Sequence, residues 1–316
     1  MARYLDPKND IPFKKVFGEH PELVKSFLNA LLPLPEGHSI VDITYVPPEQ
    51  LPETPTMKNS IVDVKCVEST GRVFIVEMQN YWGSHFKNRM LLNASKAYAR
   101  QLPKGETYTL IQPVYTLAVI NDTYTPGKHN YYHHYAIVNV ENSDEVIEGL
   151  EFVLVELPKF VPETTDEKKM RVLWLRFLKE VGENVYKIDP ALLEDAYLKE
   201  AVEICEVGAY TPGELEAYDK FWDTVSLDRT LTDNLAEKTQ ALAEKDQALA
   251  ETTQALEKER IEREKVAQSL AEKDQVLAET TQALAEKDKA LAEKDKILVE
   301  NQKLIEFLQK QAEVGK

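Results

Sequence analysis

Asp63, Glu77 and Gln79 stand inside two short apolar segments, residues 61–66 (IVDVKC) and 73–80 (VFIVEMQN). Runs of Val and Ile this short read as buried strands, and each then carries a carboxylate within it. The intervening ESTGR fits a type I turn closed by Gly71 in the left-handed region. Such a turn pairs Glu68 with Arg72 and so places Asp63 directly opposite Glu77. Strand alternation then sets Ile61, Asp63 and Lys65 on one face with Val73, Ile75, Glu77 and Gln79. Opposed like charges destabilise a sheet, and burial worsens the conflict unless positive charge sits between them. A hard divalent cation is the economical answer: Mg²⁺, with Mn²⁺ as a substitute, takes one or two carboxylates plus waters and phosphate oxygens. The alternative is a solvated face on which Asp63 pairs with Lys65 and Glu77 lies at a sheet edge.

The elements that must position these groups are legible from periodicity. Residues 21–32 predict a helix, with Pro21 in its first turn and Leu23, Phe27, Ala30 and Leu31 at helical spacing. Residues 39–46 (SIVDITYV) predict a strand, and PPEQLPETP after it a loop without regular structure. A helix is expected over 86–102, ended by Pro103 and Gly105, and strands over 114–120, 131–140 and 150–157. Helical, acidic segments follow at 166–181, 190–207 and 211–225, where Trp174, Phe177 and Leu178 have core spacing.

Composition excludes several classes. The formal charge of −16 argues against a general nucleic-acid coat protein. It is unevenly spread: residues 1–140 sum to +1, residues 141–227 to −12 and the rest to −5. The two cysteines, Cys66 and Cys205, suggest neither a disulfide framework nor a zinc cluster and fit a reducing compartment. The first residues, MARYLDPKND, lack the apolar core of a signal peptide, and no apolar run is long enough to span a bilayer. A cytoplasmic location is expected. No GxxxxGK[ST], GxGxxG or GxSxG pattern occurs, so no nucleotide cofactor is expected. His129, His133 and His134 lie along a strand pattern, where residues four apart do not converge on a metal.

From about Leu231 the chain becomes a heptad array. Stepping by seven from Leu235 to Leu298 meets nine Leu in ten positions, with Arg263 the exception. One continuous helix here would be about 120 Å long. The second seam is polar: Lys245, Thr252, Lys273, Thr280, Lys287 and Lys294 in one register, Asp246, Thr253, Asp274, Thr281, Asp288 and Asp295 in the other. Zippers need apolar residues at both positions, so only weak homo-oligomerisation is expected.

Asp63, the Glu77-Met78-Gln79 strand after a hairpin, and the helix that follows resemble the metal-dependent PD-(D/E)XK nuclease core. More closely, the pattern is similar to the Rpn-type recombination-promoting nuclease and transposase family. DIPFKKVFG at residues 10–18, FKNR at 86–89, FVLVELPKF at 152–160 and the later YDKFWD match as well. The likeness covers roughly residues 5–227. It implies an α/β, restriction-endonuclease-like three-layer core with a mixed sheet. The division expected is a nuclease domain at 1–160, an acidic helical extension at 161–230 packed on it, and a repeat tail at 231–316. Two departures stand out: Val62 precedes Asp63 where the broad signature has proline, and Gln79 occupies the usual lysine place, as is common in this branch.

The activity implied is hydrolysis of DNA phosphodiester bonds. Asp63 and Glu77 would hold the metal with the Met78 carbonyl, and Asp10 would serve as an outer ligand unless it is simply a helix-start residue. Gln79 would orient the attacking water but brings no positive charge, which the metal, helped by Lys65, would supply. Lys14, Lys15, Lys87, Arg89, Lys96 and Arg100 are candidate phosphate contacts; a basic helix face is otherwise simply solvated. The rival reading is a catalytically inactive, DNA-associated scaffold that gathers copies or partners through its tail.

Overall fold

The computed structural model describes residues 4–50, 60–162 and 169–314, with side chains placed through residue 308. In chain order the elements are α1 (Asp10–Gly18), α2 (Pro21–Leu31), β1 (Thr44–Tyr45), β2 (Glu49–Gln50), β3 (Ser60–Ile61), β4 (Val64–Val67) and β5 (Val73–Gln79). They continue with α3 (Phe86–Ala99), β6 (Val114–Ile120), β7 (Tyr132–Val138), β8 (Val146–Glu156), α4 (Lys169–Glu180), α5 (Pro190–Leu193), α6 (Ala196–Ile204) and α7 (Pro212–Val314).

Six strands form one mixed sheet in the order β1-β4-β5-β6-β8-β7, with β5, β6 and β8 parallel to one another. Alternation along the strands feeds two cores. One face sends Val64, Cys66, Phe74, Val76, Leu117, Val119, Val153 and Val155 toward residues of α1, α2, α4 and α6. There Phe13, Phe17, Phe27 and Trp174 pack with ring centroids 4.5–5.5 Å apart. The other face sends Val73, Ile75, Ala118, Ile120 and Leu154 against the α3 stripe of Phe86, Met90, Ala94 and Ala97. Helices therefore cover both faces of the sheet.

The β4–β5 hairpin has the expected register. Glu68 N–H donates to the Arg72 carbonyl, Gly71 has φ +91°, and the pairs run from Val67 with Val73 to Val64 with Val76. Glycine is suited to this position because a Cβ is strained at positive φ. Other expectations need correction. The predicted strand over 61–66 breaks at Val62–Asp63, because the Val62 N–H turns to the Pro48 carbonyl and the chain pairs as β3 with β2. Residues 49–50 of the supposed loop are therefore strand, while 51–59 lie outside the described residues. Of the strand predicted over 39–46 only Thr44–Tyr45 pairs, since the Asn29 side chain takes both backbone groups of Ile40. α3 ends at Ala99, not residue 102, and the 190–207 helix divides where Asp195 caps α6 through Tyr197 and Leu198 N–H.

The chain separates into two units, Met1–Asn234 and Leu235–Lys316. α7 begins at a reciprocal capping box, in which Thr211 Oγ1 accepts the Glu214 N–H and Glu214 accepts the Thr211 N–H. Its first turns bury Tyr218 against Leu5 and Tyr210. In the second unit the repeat leucines are all exposed, from 60% for Leu242 and Leu270 to 67% for Leu235. No helix among the described residues is long and apolar enough to cross a membrane.

Candidate active site

β5 delivers Glu77 to the face beneath α3, where it is only 4% exposed. The break at Val62–Asp63 lets Asp63 do what a ladder residue could not: its Oδ2 accepts the Met78 N–H at 2.7 Å. The side chain thus replaces a backbone partner and fixes Asp63 against β5. Both carboxylates line one cleft of about 200 Å³, with Asp10, Gln79 and Arg89, and with Phe221, Thr224, Val225 and Asp228 of α7 as a further wall. Asp10 is bound to Lys14 at 2.8 Å.

The electrostatics express the conflict. Burial raises the Asp63 pKa above the ordinary carboxylate range; the Met78 N–H opposes this, Asp10 adds to it, and Lys14 and Arg89 pull it down. Burial raises the Glu77 pKa, and the neighbouring Asp63 charge pushes it further. Arg89, the Asn93 hydrogen bond and Lys14 offset only part of that rise. Among the described residues no Lys or Arg forms an ion pair with Asp63, and Arg89 Nη2 stays 3.9 Å from Glu77 Oε2. Two carboxyls so placed retain protons that isolated ones would lose, and a divalent cation is the natural replacement.

The donor set fits such an ion. Among the described residues no group of three or more His, Cys, Asp and Glu converges on a point. Two carboxylates with the Met78 carbonyl are a hard, oxygen-only set, of the kind Mg²⁺ completes with waters and substrate oxygens.

Gln79 is held at both ends: its Nε2 donates to the Tyr81 carbonyl at 2.9 Å, and its Oε1 accepts from Arg89 Nη2 at 2.6 Å. Arg89, one of the expected phosphate contacts, thus reaches the place that Gln79 leaves without charge. Lys65 lies half-buried on the α3 side of β4 and is not among the residues lining the cleft. The remaining basic candidates have other engagements. Lys15 Nζ donates to the Ala209 carbonyl and pairs with Glu214, and Lys87 lies 4.8–5.9 Å from the Trp82, Tyr124 and Tyr135 ring centroids. Lys96 donates to Ser60. The exception is Arg100, which is exposed at the end of α3, closes that helix only through its backbone N–H, and does not line the cleft. His133 and His134 bind Glu156 and Glu151 separately, so the histidines do not converge.

Sequence reasoning missed Asn93, Tyr81 and Asp228. Asn93 had a signal: it shares the α3 stripe of Phe86, Met90 and Ala97 yet is polar. It is buried, and its Nδ2 donates to Glu77 Oε1 at 3.3 Å. Tyr81 Oη donates to Asp228 Oδ2 at 3.0 Å, across 147 residues, a pairing that no local pattern announces.

The profile of the family described as PD-(D/E)XK nuclease family transposase matches residues 7–230. No curated protein and no solved structure matches the chain. The match runs across the sheet, the carboxylate pair and the first turns of α7, and covers well over half the sequence. The chain belongs to the PD-(D/E)XK nuclease family transposases.

Proposed function

We propose that this protein is a divalent-metal-dependent DNA endonuclease of the Rpn-type, recombination-promoting branch. The observation that carries the reading is the pair of opposed carboxylates, Asp63 and Glu77, in one cleft that Gln79 and Arg89 also line. Asp63, Glu77 and the Met78 carbonyl would hold Mg²⁺ or Mn²⁺, and Asp10 would stand outside them. When bound, the ion supplies the charge that lets both carboxyls ionise and lowers the pKa of water at the site.

The chain's own residues do the rest. Gln79 has its amide fixed by Tyr81 and Arg89, which leaves a lone pair of Oε1 to accept from the attacking water. Arg89 supplies the fixed positive charge that Gln79 cannot, and its free N–H groups face a phosphate oxygen as charge builds on it. Arg89→Ala is therefore expected to lower single-turnover cleavage of end-labelled duplex by about 10²–10³-fold. Arg89→Lys should recover only part, because one ammonium cannot both bond Gln79 as Nη2 does and present a planar fork to a phosphate. Full activity in Arg89→Ala would remove this residue from the chemistry. The reading as a whole is tested by nicking of supercoiled plasmid by the full chain, with Mg²⁺ and with EDTA.

A non-catalytic scaffold is the second reading, favoured by the exposed leucine stripe of α7. The polar second seam limits association through this stripe to weak, concentration-dependent pairing. Sedimentation of the full chain should show mostly monomer at low micromolar concentration; a tight dimer there would contradict this. A chain that binds DNA and never cuts it belongs to the scaffold class.

A further inference from the structure

Two amides that take no part in the proposed chemistry form a chain leading to Glu77. Gln50, in β2, is 0% exposed, and its Nε2 donates to the Asn93 carbonyl at 3.1 Å. Asn93, 1% exposed in the middle of α3, in turn donates its Nδ2 to Glu77 Oε1. Among the described residues, neither amide has a hydrogen-bond partner for its side-chain oxygen. Leaving a buried polar atom unpaired is costly, and an apolar residue at either place would avoid that cost. Two buried amides in contact, one of them on the otherwise apolar α3 stripe, need a reason beyond packing.

The β2–β3 ribbon is secured at both ends of this arrangement. Ser60 of β3 accepts from Lys96 of α3, and the Val62 N–H donates to the Pro48 carbonyl. The ribbon therefore fixes α3 through Gln50, and fixes the chain leading into Asp63 through Val62. One small element sets the placement of both carboxylates.

We propose that Asn93 and Gln50 are positioning residues for the metal site: Asn93 aims the Glu77 carboxylate, and Gln50 holds the α3 turn that carries Asn93. The assignment rests on the metal-dependent reading above. Removing groups that orient a metal's carboxylate ligand typically weakens metal affinity 10–100-fold. The test is calorimetric titration of Mn²⁺ into the full chain without DNA, comparing wild type, Asn93→Ala and Gln50→Met, with circular dichroism to confirm the fold. Asn93→Ala should bind Mn²⁺ at least tenfold more weakly, and Gln50→Met, which keeps length and removes the donor, should weaken binding in the same direction by a smaller factor. If Asn93→Ala proves unfolded, Gln50→Met alone decides. A folded variant set that binds Mn²⁺ like wild type overturns the positioning role. A wild-type chain that takes up no Mn²⁺ overturns the metal reading itself, and this assignment with it.

Discussion

Replacing either Asp63 or Glu77 by alanine is expected to reduce plasmid nicking by about 10³-fold or more while leaving the circular dichroism spectrum unchanged. The two effects separate because neither carboxylate belongs to either core, although Asp63→Ala does give up the bond from the Met78 N–H. They stand between two cores formed by other residues, and their mutual repulsion works against the sheet. Glu77→Gln keeps the shape and the capacity to accept from Asn93 while removing a carboxyl that must take up a proton to be buried beside Asp63 at neutral pH. In metal-free buffer at neutral pH it should be more stable than wild type by about 1 kcal/mol, a rise of about 2–4 °C in Tm for a unit of this size. An inactive variant that melts higher is the signature of a site strained for function. Loss of stability in Glu77→Gln would mean that the carboxylate is a structural partner.

The second large effect is the pH dependence of metal-free stability. The folded-state pKa values of both Asp63 and Glu77 are raised, mainly by burial and, for Glu77, by the Asp63 charge. A carboxyl with a raised folded pKa favours folding fully below its unfolded value, near 4, and that contribution is lost as pH rises through the folded value. Thermal melts in EDTA should therefore fall progressively from about pH 5 upward. Glu156 acts in the opposite sense. Burial alone would raise its pKa, but hydrogen bonds from Lys159, Thr125 and His133 outweigh this and bring it down to about 2. Its contribution is present above the unfolded value and lost as pH falls through the folded one, so it shapes the acid side. Saturating Mn²⁺ should flatten the decline above pH 5. At a concentration 100 times its Kd the ion adds about 2.7 kcal/mol. A melt in EDTA that does not change between pH 5 and 8 would contradict the buried, repelling pair.

The parts of this arrangement that were legible in the sequence are local ones. The Glu68–Arg72 turn needs one glycine and a short loop, and from it the register of β4 and β5 follows. The core stripe of α3 and the full burial of β6 follow from periodicity in the same way. What escaped was set by distant chain. The break at Val62–Asp63 depends on β2, which lies in a proline-rich stretch that reads as loop. The partner for Gln79 was a matter of where α3 sits on the sheet: strand alternation put Lys65 on the same face as Asp63, whereas Arg89 is the cation that touches Gln79. Asp228 reaches the cleft only because α7 folds back along it, with Asn9 Nδ2 donating to the Tyr218 carbonyl and Asp6 N–H to the Tyr218 hydroxyl. The change of composition near Leu231 falls close to the division between the two units, at Asn234 and Leu235.

The helix that carries the leucine repeat begins as a wall of the candidate site, through Phe221, Thr224, Val225 and Asp228. Its capping box, the Lys15–Glu214 pair and the burial of Tyr218 fix those first turns to the core.

On the proposed function, Asp63 and Glu77 tolerate one another because a doubly charged ion comes between them. Calorimetric titration of Mn²⁺ into the metal-free wild type, run in two buffers of different ionisation enthalpy, tests it most directly. The expected result is one site per chain, proton release on binding at neutral pH, and no uptake by the Asp63→Asn, Glu77→Gln double variant. Unchanged uptake in that variant, or none in the wild type, would contradict it.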